Sequence, residues 1–162
     1  MTSSYVLAID PGNIESAYVR VDSKSLAILD HGKILNSDML DMVRGWMSLF
    51  GGDIVCEMIG HYGSGMPAGK TVFDTCLMIG RIIEASGGKV DLMLRPTVKA
   101  HICGSAKAKD SNVIQALKDR FGDRGTKANP GHFYGVKADV WQAYAAAVAY
   151  IEGAKILEEK KQ

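Results

Sequence analysis

Three acidic residues stand where acids are least expected. Asp10 closes the apolar run Tyr5-Val6-Leu7-Ala8-Ile9 and is followed at once by Pro11-Gly12, which stops a strand. Glu57 lies inside the apolar run 53–58, and Asp139 falls in the first turn of a predicted last helix, a frequent cap position. An ionised carboxylate buried without a partner is costly, so such acids are hydrogen-bonded, ion-paired or metal-bound. Each also has an ordinary explanation: a turn Asp, a satisfied strand Glu and a helix cap. If the strands carrying Asp10 and Glu57 are neighbours, their carboxylates converge at one sheet edge. Two or three carboxylates around a pocket make the oxygen-rich set that Mg2+ takes. A pair of such ions about 3.5–4 Å apart activates water and stabilises the leaving oxygen in phosphodiester hydrolysis.

The elements that must position these acids follow from periodicity. Residues 5–9, 14–21 and 25–30 are predicted as three short strands joined by tight turns, an antiparallel meander. Met39, Leu40, Val43, Trp46, Met47 and Phe50 recur at helical spacing over residues 37–50, and Gly51-Gly52 ends that helix. Residues 53–58 form a fourth strand, 71–86 a second amphipathic helix and 90–94 a fifth strand, after which Arg95-Pro96 begins a short helical turn. A third helix is expected over 109–121, a polar Gly-rich loop over 122–135 and an Ala-rich helix from 138 to 151. This order predicts one α/β domain over residues 1–162, a mixed five-stranded sheet with helices on both faces.

Composition excludes several classes. Of 162 residues, 47% are hydrophobic and 23% charged, too apolar for a disordered chain. No window approaches a membrane span, and the N-terminus lacks a basic stretch followed by an apolar core, so no membrane or secretory role is expected. Cys56, Cys76 and Cys103 are odd in number and widely spaced, which fits reduced thiols in a cytoplasmic protein. The near balance of 19 Lys+Arg against 18 Asp+Glu hides an asymmetry. Residues 1–88 carry 6 basic and 10 acidic side chains, whereas residues 89–137 carry 10 basic and 4 acidic. A basic segment in a neutral protein suits a local polyanion contact, and equally a solvated Lys-rich helix face.

With these residues placed, a resemblance becomes specific. Leu7-Ala8-Ile9-Asp10-Pro11-Gly12, Asp53-Ile54-Val55-Cys56-Glu57, Arg95-Pro96-Thr97-Val98-Lys99 continuing through residues 104–113, and Lys137-Ala138-Asp139-Val140-Trp141-Gln142-Ala143 occur in order. The sequence resembles the RuvC family of Holliday junction resolvases, in particular its small phage-type members, within the ribonuclease H-like nuclease superfamily. The resemblance implies a ribonuclease H-like fold and an Mg2+-dependent endodeoxyribonuclease, with Mn2+ a substitute, acting in DNA recombination and repair. Asp10, Glu57 and Asp139 would be both catalytic residues and metal ligands, with Asp10 bridging two ions. A metal-activated water would attack, the 3′-oxygen would leave, and paired symmetric nicks with 5′-phosphates would result. Lys99, Lys107, Lys109 and Lys118 are the expected DNA contacts, giving binding that weakens steeply with salt. Branched DNA and a second copy of the chain are the expected partners, with Phe73, Leu77, Met78 and Ile82 at the homodimer interface or in the core. The expected location is cytoplasmic, the host cytoplasm if the chain is phage-encoded.

One departure bears on the metal site. The bacterial family usually carries two metal-binding positions three apart on the last helix, and the second falls here on Gln142, an auxiliary group without negative charge. Asp110 and His132 are candidates to complete the set. Residues 63–71 imitate a phosphate-binding loop, but Ser64 stands where its first Gly is needed, so no small-molecule nucleotide is expected. The loop over residues 60–69 is expected either to reach towards DNA, with Tyr62 and Met66 available to stack or wedge, or to be an exposed glycine-rich connector with no role. His31, His61, His101 and His132 show no metal-ligand spacing. The rival functions are a ribonuclease H-like enzyme on RNA and a non-catalytic junction-binding protein. An actin-like sugar kinase needs two such domains, for which the chain is too short.

Overall fold

The computed structural model describes residues 3–60 and 69–157. Strands β1 (Tyr5–Asp10), β2 (Glu15–Asp22), β3 (Ile28–Leu35), β4 (Asp53–Met58) and β5 (Val90–Leu94) form one sheet in the order β3-β2-β1-β4-β5. The first three pair antiparallel, and β4 and β5 add parallel to β1. Parallel neighbours require a crossover. Helices α1 (Asn36–Leu49) and α2 (Lys70–Ala85) supply the two crossovers and pack on the same face. Helices α3 (Arg95–Cys103), α4 (Asp110–Phe121) and α5 (Val140–Ile151) cover the other. The architecture is the predicted mixed α/β sheet with helices on both faces.

The central strand shows why β1 is apolar throughout except at its end. Val6 and Ala8 point into the core under α5, while Leu7 and Ile9 point into the core under α1 and α2. A strand covered on both faces has no solvent side to make polar. By the same alternation Asp10 lies on the α5 face, as do Val55 and hence Glu57 on β4. Helix α5 packs across β1, β2 and β4. Its Ala143, Ala145, Ala146, Ala147 and Ala149 are fully buried, and their small side chains allow close approach to the sheet.

Two elements differ from expectation. The third strand was predicted over 25–30 but runs Ile28–Leu35. Asp22 accepts hydrogen bonds from the backbone N–H groups of Lys24 and Ser25 and from the Ser25 hydroxyl, and Leu26 adopts a left-handed φ of 59°, so the turn extends through residue 27. The helical turn expected at Arg95-Pro96 is a nine-residue helix, with Pro96 in the first turn, where its missing N–H costs nothing. Among the described residues no helix is long and apolar enough to cross a membrane, and Cys56, Cys76 and Cys103 are free thiols.

Residues 122–135 were expected to be merely a polar loop, yet they carry buried anchors. Phe133 is fully buried, with its ring 4.5 Å from that of Trp141 and 5.2 Å from that of Tyr144. The Tyr144 hydroxyl donates to the Leu26 carbonyl at 2.8 Å, and His132 Nε2 lies 2.8 Å from the same hydroxyl. A phenol has one proton, and Leu26 takes it, so His132 must donate through Nε2–H. Tyr144→Phe would leave both the strained Leu26 turn and His132 without their partner. The expected loss is about 1–3 kcal/mol in urea unfolding; an unchanged midpoint would show that the hydroxyl holds neither.

Candidate active site

The parallel strands β1, β4 and β5 end at one edge of the sheet. Ile9 is in register with Cys56, and Glu57 with Met93, so Asp10, Glu57 and the first residue after β5, Arg95, follow one another across that edge. Crevices at the carboxyl ends of parallel strands are where open α/β sheets bind ligands. Here a cleft of about 220 Å³ is lined by residues that include Asp10, Pro11, Glu57, Thr71, Thr75 and Arg95.

The turn after Asp10 is built to hold its place. A side chain at Gly12 would put its Cβ 2.2 Å from the Glu15 carbonyl oxygen, so only glycine fits. The Gly12 N–H donates to the hydroxyl of fully buried Ser16, Ser16 donates to Asn36 Oδ1, and Asn36 Nδ2 returns a hydrogen bond to the Gly12 carbonyl. This closed set ties the turn to β2 and to the start of α1.

Asp10 and Glu57 are both nearly buried, at 10% and 12% side-chain exposure. Burial first, and then the charge of Glu57, push the Asp10 carboxyl up to about 8. Burial likewise raises Glu57, against the pull of Arg95. Arg95 Nε donates to Glu57 Oε1 at 2.7 Å, and another guanidinium nitrogen lies 3.7 Å from Asp10 Oδ1. Arg95 was not singled out from the sequence as a site residue. Its signals were its position, directly after a strand that neighbours the strand bearing Glu57, and its place at the head of the Arg95–Lys99 motif.

Asp139 caps the start of α5 by backbone position only, with no side-chain cap bond. Phe133 and Val136 anchor the approaching chain in the core, and Ala138 turns it in a left-handed conformation, φ 49°. That conformation is costly for a residue with a Cβ. The Asp139 carboxylate is half exposed and accepts from Lys33 Nζ at 2.6 Å, although its charge still acts on Asp10. Sequence reasoning missed Lys33 because it lies in the part of β3 predicted to be outside the strand. Among the described residues no three His, Cys, Asp or Glu side chains converge as a ready metal cluster. The expected trio is thus a buried pair plus a third acid held aside by a lysine.

The other expected site residues divide. Lys107 and Lys109 are exposed at the turn between α3 and α4. Lys99 is not displayed to solvent: its side chain is 16% exposed and its Nζ lies 3.0 Å from Asp110. Lys118 pairs with Asp123 and lies over the Trp141 ring. Gln142 is buried on α5 three residues beyond Asp139. Asp110 belongs to the site through Arg95, at 3.7 Å. His132 does not, since its ring stacks on Phe121 and bonds Tyr144. The proposed interface splits as well: Phe73 and Leu77 are exposed on α2, whereas Met78 and Ile82 are buried in the core, because the helix turns them to the sheet. Tyr62, Met66 and His61 lie outside the described residues.

The residues present suit a hard divalent cation. The buried donors are oxygens only, and holding both of them ionised requires a cation beside them, a position the Arg95 guanidinium takes in this structure. Comparison with protein-family models and with curated proteins returns no match. Among solved structures, Thermus thermophilus RuvC matches at 18% identity over 94% of this chain and 99% of its own, with a TM-score of 0.66. T. thermophilus RuvC in complex with a Holliday junction substrate matches at 17% identity over 96% and 100%, with a TM-score of 0.68. The chain therefore has the ribonuclease H-like fold of RuvC.

A raised Asp10 means that the folded state holds a proton the unfolded chain has released. Stability from this group is therefore lost as pH rises from the unfolded value of 3.8 to about 8. Asp10→Asn should gain stability over the native chain across that window, on the order of a few kcal/mol at pH 8 in EDTA, with the difference constant above it. Denaturant titrations at several pH values check this, and a difference independent of pH would contradict the burial of an ionisable group at residue 10.

Proposed function

We propose that this protein is a divalent-metal-dependent endonuclease that cuts four-way or branched DNA, a Holliday junction resolvase. The observation that carries this reading is the placement of Asp10 and Glu57 on one face at the ends of adjacent parallel strands, beside the α5 start that bears Asp139, in a RuvC-like fold. The RuvC solved with a Holliday junction substrate supports branched DNA as the substrate.

Asp10, Glu57 and Asp139 would hold Mg2+, or Mn2+ in its place, two ions per site, with Gln142 an auxiliary group. Divalent ions held there supply Lewis-acid activation of water and neutralise charge on the scissile phosphate. The chain's own residues do the rest. The Ser16–Asn36–Gly12 set leaves the Asp10 turn little freedom, so the buried pair would offer its oxygens to a cation in a fixed place. Lys107 and Lys109 contact flanking phosphates from the α3–α4 turn, which leads into Asp110, the partner of the cleft residue Arg95. Phosphate contacts position the duplex arms without reading sequence, so selectivity comes from junction shape. Product ends carry 5′-phosphates in this reading.

A labelled four-way junction at low salt, with Mg2+, Mn2+ or EDTA, tests the reading. Paired symmetric nicks requiring metal are expected. Asp10→Asn, Glu57→Gln and Asp139→Asn should each lower the rate roughly a hundredfold to a thousandfold. Tight junction binding without nicks under either metal would leave a structure-selective binding protein, and preferential cutting of matching RNA would move the substrate class.

Two symmetric nicks need two sites, and isologous dimers are the commonest way to present them. Phe73 and Leu77, one turn apart on α2, are 60% and 68% exposed and form the apolar face on which we place the dimer contact. Phe73→Glu together with Leu77→Lys should give a folded monomer by light scattering and circular dichroism. A double variant that keeps the native oligomer would move the interface elsewhere.

A further inference from the structure

The Arg95 guanidinium sits among three carboxylates of unequal burial. Nε meets Glu57 at 2.7 Å, one terminal nitrogen is 3.7 Å from Asp10, and the other is 3.7 Å from Asp110. Asp10 and Glu57 are nearly buried, whereas Asp110 is 51% exposed at the first position of α4 and also faces Lys99 at 3.0 Å. One rigid fork therefore bridges both acids of the candidate metal pair and already points its remaining nitrogen at a third, wetter acid.

We propose that Arg95 is an exchangeable internal countercharge: it holds Asp10 and Glu57 together without metal, and yields to a divalent cation by moving onto Asp110. The inference rests on the metal-site part of the reading above, since it requires the carboxylate pair to bind a divalent cation; it does not require DNA cleavage.

Two desolvated carboxylates at adjacent strand ends repel, and a planar guanidinium can serve both at once through separate nitrogens. An incoming divalent ion brings twice the charge to the same oxygens but must first displace that group. Displacement into open water would forfeit a charge-assisted hydrogen bond. Asp110 lowers that cost, because the nitrogen facing it needs to close less than about 1 Å to reach ordinary hydrogen-bond distance. The arginine then stays beside the site as a fixed positive group. Arg95 is thus a positioning residue whose removal should act on metal affinity in a direction that loss of a merely structural contact would not produce.

Mn2+ affinity measured by calorimetry, together with the unfolding midpoint in EDTA, tests this on the full chain. Arg95→Gln should bind Mn2+ about tenfold more tightly, the scale of one charge-assisted hydrogen bond, while melting lower in EDTA. Asp110→Asn should bind Mn2+ several-fold more weakly, and that effect should vanish in the Arg95→Gln background, because Asp110 acts through Arg95. Arg95→Lys, which keeps a charge but not the fork, should fall between the native chain and the Gln variant and covers the case in which Gln fails to fold. Equal or weaker binding in either Arg95 variant overturns the inference, as does an Asp110 effect of the same size with and without Arg95. Retained binding in Asp10→Asn also overturns it, since the metal would then lie elsewhere. Fulfilment of these outcomes in a protein that cuts no junction would leave the exchange standing and remove the nuclease reading alone.

Discussion

Two carboxylates share the carboxyl end of the sheet, and neither has enough water around it to carry its charge alone. Asp10 and Glu57 are brought there by strand pairing, which also denies them solvent. The surroundings answer that electrostatic demand. Arg95 enters from the end of β5, and Asp110 and Lys99 extend the alternation of charge outward. On the far side Lys33 pairs with Asp139. The charges thus alternate from Lys99 through Asp110 and Arg95 into the buried pair, whereas on that far side the like charge of Asp139 faces Asp10 and is offset by Lys33. The outer charges are screened and individually contribute little. The inner ones are costly to leave unpaired.

The rest of the fold acts to keep that end of the sheet rigid. Helix α5, with five fully buried alanines among its buried residues, packs across β1, β2 and β4 and brings its first turn, with Asp139, to the side of the sheet that Asp10 faces. The loop before α5 is held by Phe133 and Val136, so the left-handed strain at Ala138 is borne by packing on either side. The aromatic group of Phe121, His132, Phe133, Trp141 and Tyr144 ties α4, that loop and α5 into one block, and Tyr144 links the block to the β2–β3 turn. Gly12 and its polar neighbours do the corresponding work on the other side of Asp10.

Helix α2 has two distinct faces. Its first two turns supply Thr71 and Thr75 to the cleft, and its outer face displays Phe73 and Leu77. Met78 and Ile82, only a turn or so farther along, are core. A contact made through the outer face would therefore be coupled mechanically to the cleft wall, because one helix cannot tilt without moving both.

The apolar run of β1, the break at Pro11-Gly12, the glycine stops after α1 and α2 and the alanine-rich last helix are local signals, and they placed most elements within a residue or two. The acids at Asp10 and Glu57 were legible for the same reason: a charge inside an apolar strand conflicts with its immediate neighbours. Asp139 was legible as a helix start. Strand β3 was misjudged because an Asp22-centred turn, a side-chain effect, delays it. Lys99 could be counted as a basic residue from sequence, but its burial against Asp110 depends on how α3 meets α4. Arg95 and Lys33 became site residues only on folding, since their partners lie 38 and 106 positions away. Sequence periodicity reports which face a residue takes, a property of a few neighbours along the chain. Which charges meet across that face depends on strand order and register, and those are decided by the packing of the whole sheet.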